Sequence, residues 1–273
     1  MKMKFFGACV IVLSVLFSLV SGFISPAVAE SKEKILVVLS GVDYVSLNDG
    51  STHETGFYLS ELATPLRILA SKGYEFEFAN PTGRQAVMDK TSDALNYFKD
   101  EKDYAAAKEL MNNKDFKAPK KLSSYGDDNL AGFAGIFLPG GHAPMEDLYR
   151  DADLGRILAY FHKAGKPTAL ICHAPVALLS VASESGKDWI YKGYKMTMFS
   201  NEEEAQAEKA LKLSAGFKFR IEDRLAGLGA VVNNAKPWQS NAVSDRELIT
   251  GQNPMSDEKM TELFIDALSG KKK

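Results

Sequence analysis

The run Lys166-Pro167-Thr168-Ala169-Leu170-Ile171-Cys172-His173-Ala174-Pro175-Val176-Ala177-Leu178-Leu179 decides how the rest of the chain is read. Its opening apolar stretch is long enough for a buried strand and too short for a typical helix. Beyond Cys172-His173 the chain stays apolar, with Ser180 the only polar interruption before Val181. Val176 and Leu179, three residues apart, suit one face of a helix packed on a sheet. A strand that turns abruptly into a helix with a nucleophilic side chain at the bend has the logic of a nucleophile elbow. The turn lifts the side chain above the sheet, and the helix start offers free N–H groups and a positive dipole end to an anion. A thiol placed there is expected to ionise more easily than a free one. The segment by itself also fits a core cysteine, since free Cys is among the most buried residue types.

Cysteine usage favours a reactive thiol. The chain opens Met1-Lys2-Met3-Lys4, continues through a mostly apolar stretch from Phe5 to Val20, and reaches Ala27-Val28-Ala29. A charged start, an apolar middle and an Ala-x-Ala end form a secretory signal peptide, which the cleavage site favours over an N-terminal membrane anchor. Cys9 lies near the start of the apolar stretch rather than after it, which argues against a lipoprotein. The expected organisation is a signal peptide over residues 1–29 and one α/β domain over residues 30–273, periplasmic or secreted, with no membrane contact after cleavage. Of the two cysteines, Cys9 leaves with the signal and Cys172 becomes the mature protein's sole thiol. Exported proteins usually pair their cysteines, so an unpaired one suggests a reactive thiol or an intermolecular bridge. The formal net charge of −2 gives no electrostatic footprint for nucleic acid. Lys271-Lys272-Lys273 reads as a solvated tail.

Working outward, Lys34-Ile35-Leu36-Val37-Val38-Leu39-Ser40 is a buried first strand. The Ser-, Asn-, Asp- and Gly-rich loop from Gly41 to Thr55 has the character of an active-site loop. A helix over residues 57–71 carries Leu62, Leu66 and Leu69 on one face, contains Pro65, which should kink it, and stops at Gly73. Glu61, near its start, reads by itself as a solvated acid. Residues 74–79 alternate as a second strand, near an edge. Residues 84–130 form a polar inserted cap, either a lid or a surface elaboration. Ala134–Leu138 is a third strand ending in Pro139-Gly140-Gly141-His142, where paired glycines let N–H groups approach a ligand as an oxyanion hole requires, or simply make a tight turn. An amphipathic helix through Leu154, Ile157, Leu158 and Phe161 then feeds the strand that ends at Cys172. Further strands are expected over residues 195–199, near 230–232 and over 248–250. Helices are expected from Glu202-Glu203-Glu204 and over residues 257–268. Strand and helix in alternation imply a mostly parallel, flavodoxin-like sheet with helices on both faces. Sites in such sheets form at the carboxyl ends of strands, which makes Gly140-Gly141 and Cys172 neighbours.

In this order the motifs resemble the ThiJ/PfpI superfamily, which has the class I glutamine amidotransferase-like fold, and its heat-shock-type glyoxalase III branch. The resemblance rests on Thr55-Gly56 with Glu61 and Pro65, on Pro139-Gly140-Gly141-His142, and on Ala169-Leu170-Ile171-Cys172-His173-Ala174-Pro175. It continues through Ile221-Glu222-Asp223-Arg224-Leu225, Pro237-Trp238 and Thr250-Gly251-Gln252-Asn253-Pro254. It implies that Cys172 is the nucleophile, His173 its adjacent partner, and Glu61 an acid against the thiol that moves protons. It implies oxyanion N–H groups from Gly141, in the Gly140-Gly141 turn, and from the backbone of His173, and an acid at about Glu204 that orients His173. His173 as a turn cap, and Glu204 as part of a solvated helix start, remain open.

The histidines are an independent discriminator. Only His53, His142, His162 and His173 occur, and none follows the elbow, whereas a glutaminase would need a downstream histidine to serve its cysteine. His53 and His142 could meet near the site, but their spacing supports no metal, and neither metal nor cofactor is expected. The expected activity is a glutathione-independent glyoxalase, a lyase of the D-lactate dehydratase type. It would convert methylglyoxal or a similar small 2-oxoaldehyde into lactate through a cysteine-bound intermediate. Two alternatives from other classes stand beside it. One is a stress chaperone whose cysteine senses redox state; the other is a thiol peptidase or amidase of the same fold. The sequence leaves a homodimer open.

Overall fold

The computed structural model describes Met1 and residues 33–181 and 189–270. The expected signal peptide, and the export it implies, fall outside the described residues apart from Met1. The described residues from 33 onward belong to one compact unit. Among the described residues, no helix is long and apolar enough to cross a membrane.

In chain order the principal elements are β1 (Lys34–Val38), α1 (Leu59–Ser71), β2 (Glu75–Asn80), α2 (Glu101–Leu110), β3 (Lys120–Lys121) and β4 (Phe133–Leu138). They continue with α3 (Ala152–Lys163), β5 (Thr168–Ile171), α4 (Asn201–Ala210), α5 (Ile221–Gly227), β6 (Ala242–Asp245), β7 (Leu248–Gly251) and α6 (Asp257–Leu268). A seven-stranded sheet runs in the order β6-β7-β5-β4-β1-β2-β3. Every pairing in it is parallel except the hairpin of β6 with β7.

Side chains alternate across a strand, and β1 divides accordingly between two cores. Leu36 and Val38 pack with α3, α5 and the segment after Cys172, whereas Ile35 and Val37 pack with α1 and α6. Both faces of the sheet are therefore covered, which explains why the central strands read as unbroken apolar runs. Pro65 stays inside α1 without ending it. The 84–130 segment packs on α1 and the two residues before it, through the Arg67–Asp103 ion pair and the edge-on ring pairs of Phe116 with Phe57 and Tyr97 with Tyr58. It also supplies the edge strand β3.

Two local expectations change. The segment after the elbow is not an α-helix but 3-10 turns from Ala174 to Val181. Residues 174–178 are all buried, so no amphipathic face exists to favour the wider helix, and the three-residue spacing of Val176 and Leu179 suits the tighter one. The strand expected over 195–199 shortens to Lys195–Met196, paired with Val231–Val232 outside the main sheet. Side chains take the donors that would have continued it. Thr197 N–H goes to Thr250 Oγ1 at 2.8 Å and Met198 N–H to Asn234 Oδ1 at 3.1 Å.

Candidate active site

Cys172 follows β5 directly and has φ of 61°, a left-handed conformation that side-chain-bearing residues adopt only when their surroundings impose it. Here Cys172 N–H bonds to Gly251 O on one side and Cys172 O accepts from Phe199 N–H on the other, each at 2.9 Å. The expected elbow is present. Cys172 is 4% exposed.

The turn after β4 closes against it. Gly141 has φ of 92°, and a Cβ there would run into Gly56 O. A Cβ on Gly140 would lie 2.6 Å from Glu61 Oε2 and 2.7 Å from Cys172 Cβ. The Gly-Gly pair is thus the condition for bringing the acid on α1 to the thiol. Gly140→Ala is expected to cost at least ~100-fold in activity by driving Glu61 from Cys172, an order of magnitude set by how steeply catalysis depends on placement. Steady-state kinetics beside a melting curve would check this, and near-normal turnover would contradict it.

Glu61 is completely buried, and neither carboxyl oxygen finds a hydrogen bond of full geometry. Burial pushes its pKa up to about 8, offset in part by the Cys172 thiol and the N–H of Gly140, with Asp89 adding to the rise. The solvated-acid reading of Glu61 is corrected. The expectation of an easily ionised thiol is also corrected: burial, then the neighbouring Glu61, drives the Cys172 pKa well above its ordinary value, against a smaller opposing pull from Gly141 N–H. An elbow lowers a thiol's pKa only where the nearby field is positive, and here a carboxyl group stands beside it.

On its other side, Cys172 Sγ lies 3.1 Å from His173 Nδ1, and His173 Nε2 lies 3.0 Å from Glu204 Oε2. Burial, with His142 nearby, lowers the His173 pKa and favours the neutral ring, despite the pull of Glu204. Burial alone would raise the Glu204 pKa, but the two imidazoles overcome it and hold the group far below the usual carboxylate range. The acidic run separates cleanly. Glu203 caps α4 and accepts from Trp238 N–H and from the Gln252 and Asn253 side chains, which leaves the histidine to Glu204.

His142 has a larger role than its sequence context indicates. Its Nε2 lies 3.3 Å from Glu204 Oε1, its ring centroid is 4.1 Å from that of His173, and its other face stacks on Phe217 at 4.6 Å. The Pro-Gly-Gly-His motif was the only available signal, because His142 and Glu204 are 62 positions apart. Contrary to the expectation that no metal ligands assemble, His142, His173 and Glu204 form a group that could hold an ion. A cavity of about 330 Å³ is lined by His53, Thr55, Val87 and Asp89 among others, and not by Cys172 or His173. A groove of about 610 Å³ between α1 and α2 contains neither Cys172 nor any histidine.

Residues 52–267 match the model of the DJ-1/PfpI family. A Pseudomonas aeruginosa relative named protein/nucleic acid deglycase HchA is 25% identical over 241 residues, 86% of this chain and 81% of its own. Among solved structures, the Francisella tularensis rapid encystment protein of 24 kDa is similar, with a TM-score of 0.72 and 26% identity, covering 86% of this chain and 99% of its own. Glyoxalase III from Candida albicans shares the fold, with a TM-score of 0.69 and 24% identity, covering 86% of this chain and 97% of its own.

Proposed function

Because the chain belongs to the DJ-1/PfpI family, we propose that it is a glutathione-independent glyoxalase that converts methylglyoxal, or a similar small 2-oxoaldehyde, into the 2-hydroxy acid. The observation that carries this reading is a sulfur with a base on one side and a buried acid on the other: Sγ lies 3.1 Å from His173 Nδ1 and against the Glu61 carboxyl.

His173 takes the thiol proton as Sγ adds to the aldehyde carbon, and Glu204 steadies the imidazolium. The oxygen of the adduct develops its charge against Gly141 N–H and then takes the proton, giving a hemithioacetal. Glu61, as carboxylate, removes the hydrogen on that carbon as a proton and returns it to the neighbouring carbonyl carbon. The hydroxyl proton on the first carbon passes to the oxygen on the second, so the first carbon becomes a thioester carbonyl and the second an alcohol. Water then adds to the thioester, the C–S bond breaks, the thiol regains its proton and the hydroxy acid leaves. The sum is aldehyde plus water, with no net oxidation and no added cofactor.

The relatives' deglycase name raises a related substrate class, adducts of 2-oxoaldehydes on amino or thiol groups. The 4% exposure of Cys172 favours a small free aldehyde over an adduct on a folded protein. The purified protein is expected to turn methylglyoxal into lactate without glutathione, faster than it releases methylglyoxal from an N-acetyl-lysine adduct. Failure to form lactate would remove the proposal.

The pH dependence follows from Glu61. Its working form is the carboxylate and its pKa is about 8, so kcat/KM should rise through pH 8 and level off above it. An unperturbed glutamate would place that limb near 4.5. A flat profile between pH 6 and 9 would speak against Glu61 as the base.

A further inference from the structure

We propose that His142, His173 and Glu204 form a divalent-metal site suited to zinc, built on the carboxylate that serves the catalytic histidine. Three observations support it. One ring nitrogen from each histidine and a Glu204 oxygen all lie within 4.8 Å of one another. His173 Nε2 lies 3.0 Å from Glu204 Oε2 and His142 Nε2 lies 3.3 Å from Oε1, the other oxygen of the same carboxylate, while two ligands on a four-coordinate zinc, each about 2.0–2.1 Å from it, stand about 3.4 Å apart. The three side chains converge on one carboxylate, and a metal would draw separations of up to 4.8 Å in to about 3.4 Å. They are also buried enough to be held in place, with side-chain exposures of 12%, 1% and 3% for His142, His173 and Glu204. His142 is the most exposed of them and gives an ion its approach. Two imidazoles and one carboxylate form a donor set for a borderline ion and leave a fourth position open to water.

Both hydrogen bonds to Glu204 require N–H at Nε2. A metal there needs the Nε2 lone pairs instead, so each neutral ring must carry its hydrogen on Nδ1. For His142 this exchanges the Nε2 hydrogen bond to Glu204 for a bond to the metal. For His173 it turns the atom 3.1 Å from Sγ from acceptor into donor. His173 can then no longer take a proton from Cys172. Occupation of the site and turnover are therefore mutually exclusive, which makes the ion an inhibitor. That consequence rests on the glyoxalase reading; metal binding itself does not.

The test uses the full-length purified protein. Wild type and Cys172→Ala are each expected to bind one equivalent of zinc by calorimetry. Affinity should fall at least about 100-fold in His142→Ala and in Glu204→Gln, since even an outer partner of a ligand is worth 10–100-fold. Cobalt(II) added to wild type should give the visible bands of a four-coordinate nitrogen and oxygen site, without the near-ultraviolet charge-transfer band of a thiolate ligand. This readout needs no variant to fold. Undiminished zinc affinity in both variants, a thiolate band, or no stoichiometric binding would each overturn the site. Zinc bound as expected in a protein inactive toward methylglyoxal would leave the site standing and remove only the inhibitory consequence.

Discussion

Glu61→Gln is expected to unfold at a higher temperature than wild type at pH 8 while losing nearly all turnover. The stability gain comes from linkage. An unfolded glutamate releases its proton near 4.5, whereas burial holds the folded one to about 8. Between those values the unfolded chain is ionised and the folded one is not, so stability falls as pH rises from about 4.5 to about 8 and is level above that. Glutamine has nearly the same shape and no charge to desolvate, so it escapes the penalty. At 1.36 kcal/mol per unit the full difference is ~5 kcal/mol, less what is lost by leaving the new amide N–H groups poorly bonded. A net gain of about 2–3 kcal/mol corresponds to roughly 5–10 °C for a domain of this size. Melting curves from pH 4 to 9 check it: near pH 4 the variant should melt somewhat below wild type, by the cost of its poorly bonded amide, and it should overtake wild type and draw steadily away toward pH 8. Curves that stay parallel across that range would show that Glu61 is not held protonated. Activity should fall by at least ~100-fold, since an amide can neither take nor return the proton.

Cys172→Ser should abolish turnover, by at least about 10³-fold, with the melting temperature little changed. Serine fits the space and can occupy the φ of 61° that the surrounding hydrogen bonds impose. Its hydroxyl, however, holds its proton far more tightly than a thiol. His173 is a neutral ring with a lowered proton affinity and is too weak a base to remove it. Residual activity within tenfold of wild type would mean that the chemistry does not pass through the sulfur. Loss of both activity and fold would instead assign Cys172 to packing, the core-cysteine alternative. The contrast with Glu61→Gln is diagnostic, because both variants should be inactive but only the glutamine should be more stable.

The elbow illustrates how far the sequence reaches. The short apolar strand before Cys172 and the Gly-Gly turn after β4 specify a parallel α/β sheet and place both turns at strand ends. That inference needs only local periodicity and the rule that such sheets carry sites at their carboxyl edge. The period-2 division of β1 between two cores follows from the same local physics. The choice of Glu204 over Glu202 and Glu203 was not legible from charge alone. All three acids suit a helix start, and the choice depends on which one the α4 capping arrangement turns away from the cap.

What the sequence by itself determined is therefore the sheet, its order of turns, and the candidate nucleophile, because these are written in contacts between near neighbours in the chain. Tertiary structure alone decided three things. It raised the Glu61 and Cys172 pKa values instead of lowering the thiol's, because burial and a neighbouring carboxyl outweigh the field of a turn. It set His142 on Glu204 across 62 residues. It also tightened the segment after the elbow into 3-10 turns because every residue from 174 to 178 is enclosed. Each depends on the dielectric and on partners that folding brings in from distant parts of the chain, and neither is encoded in any one segment.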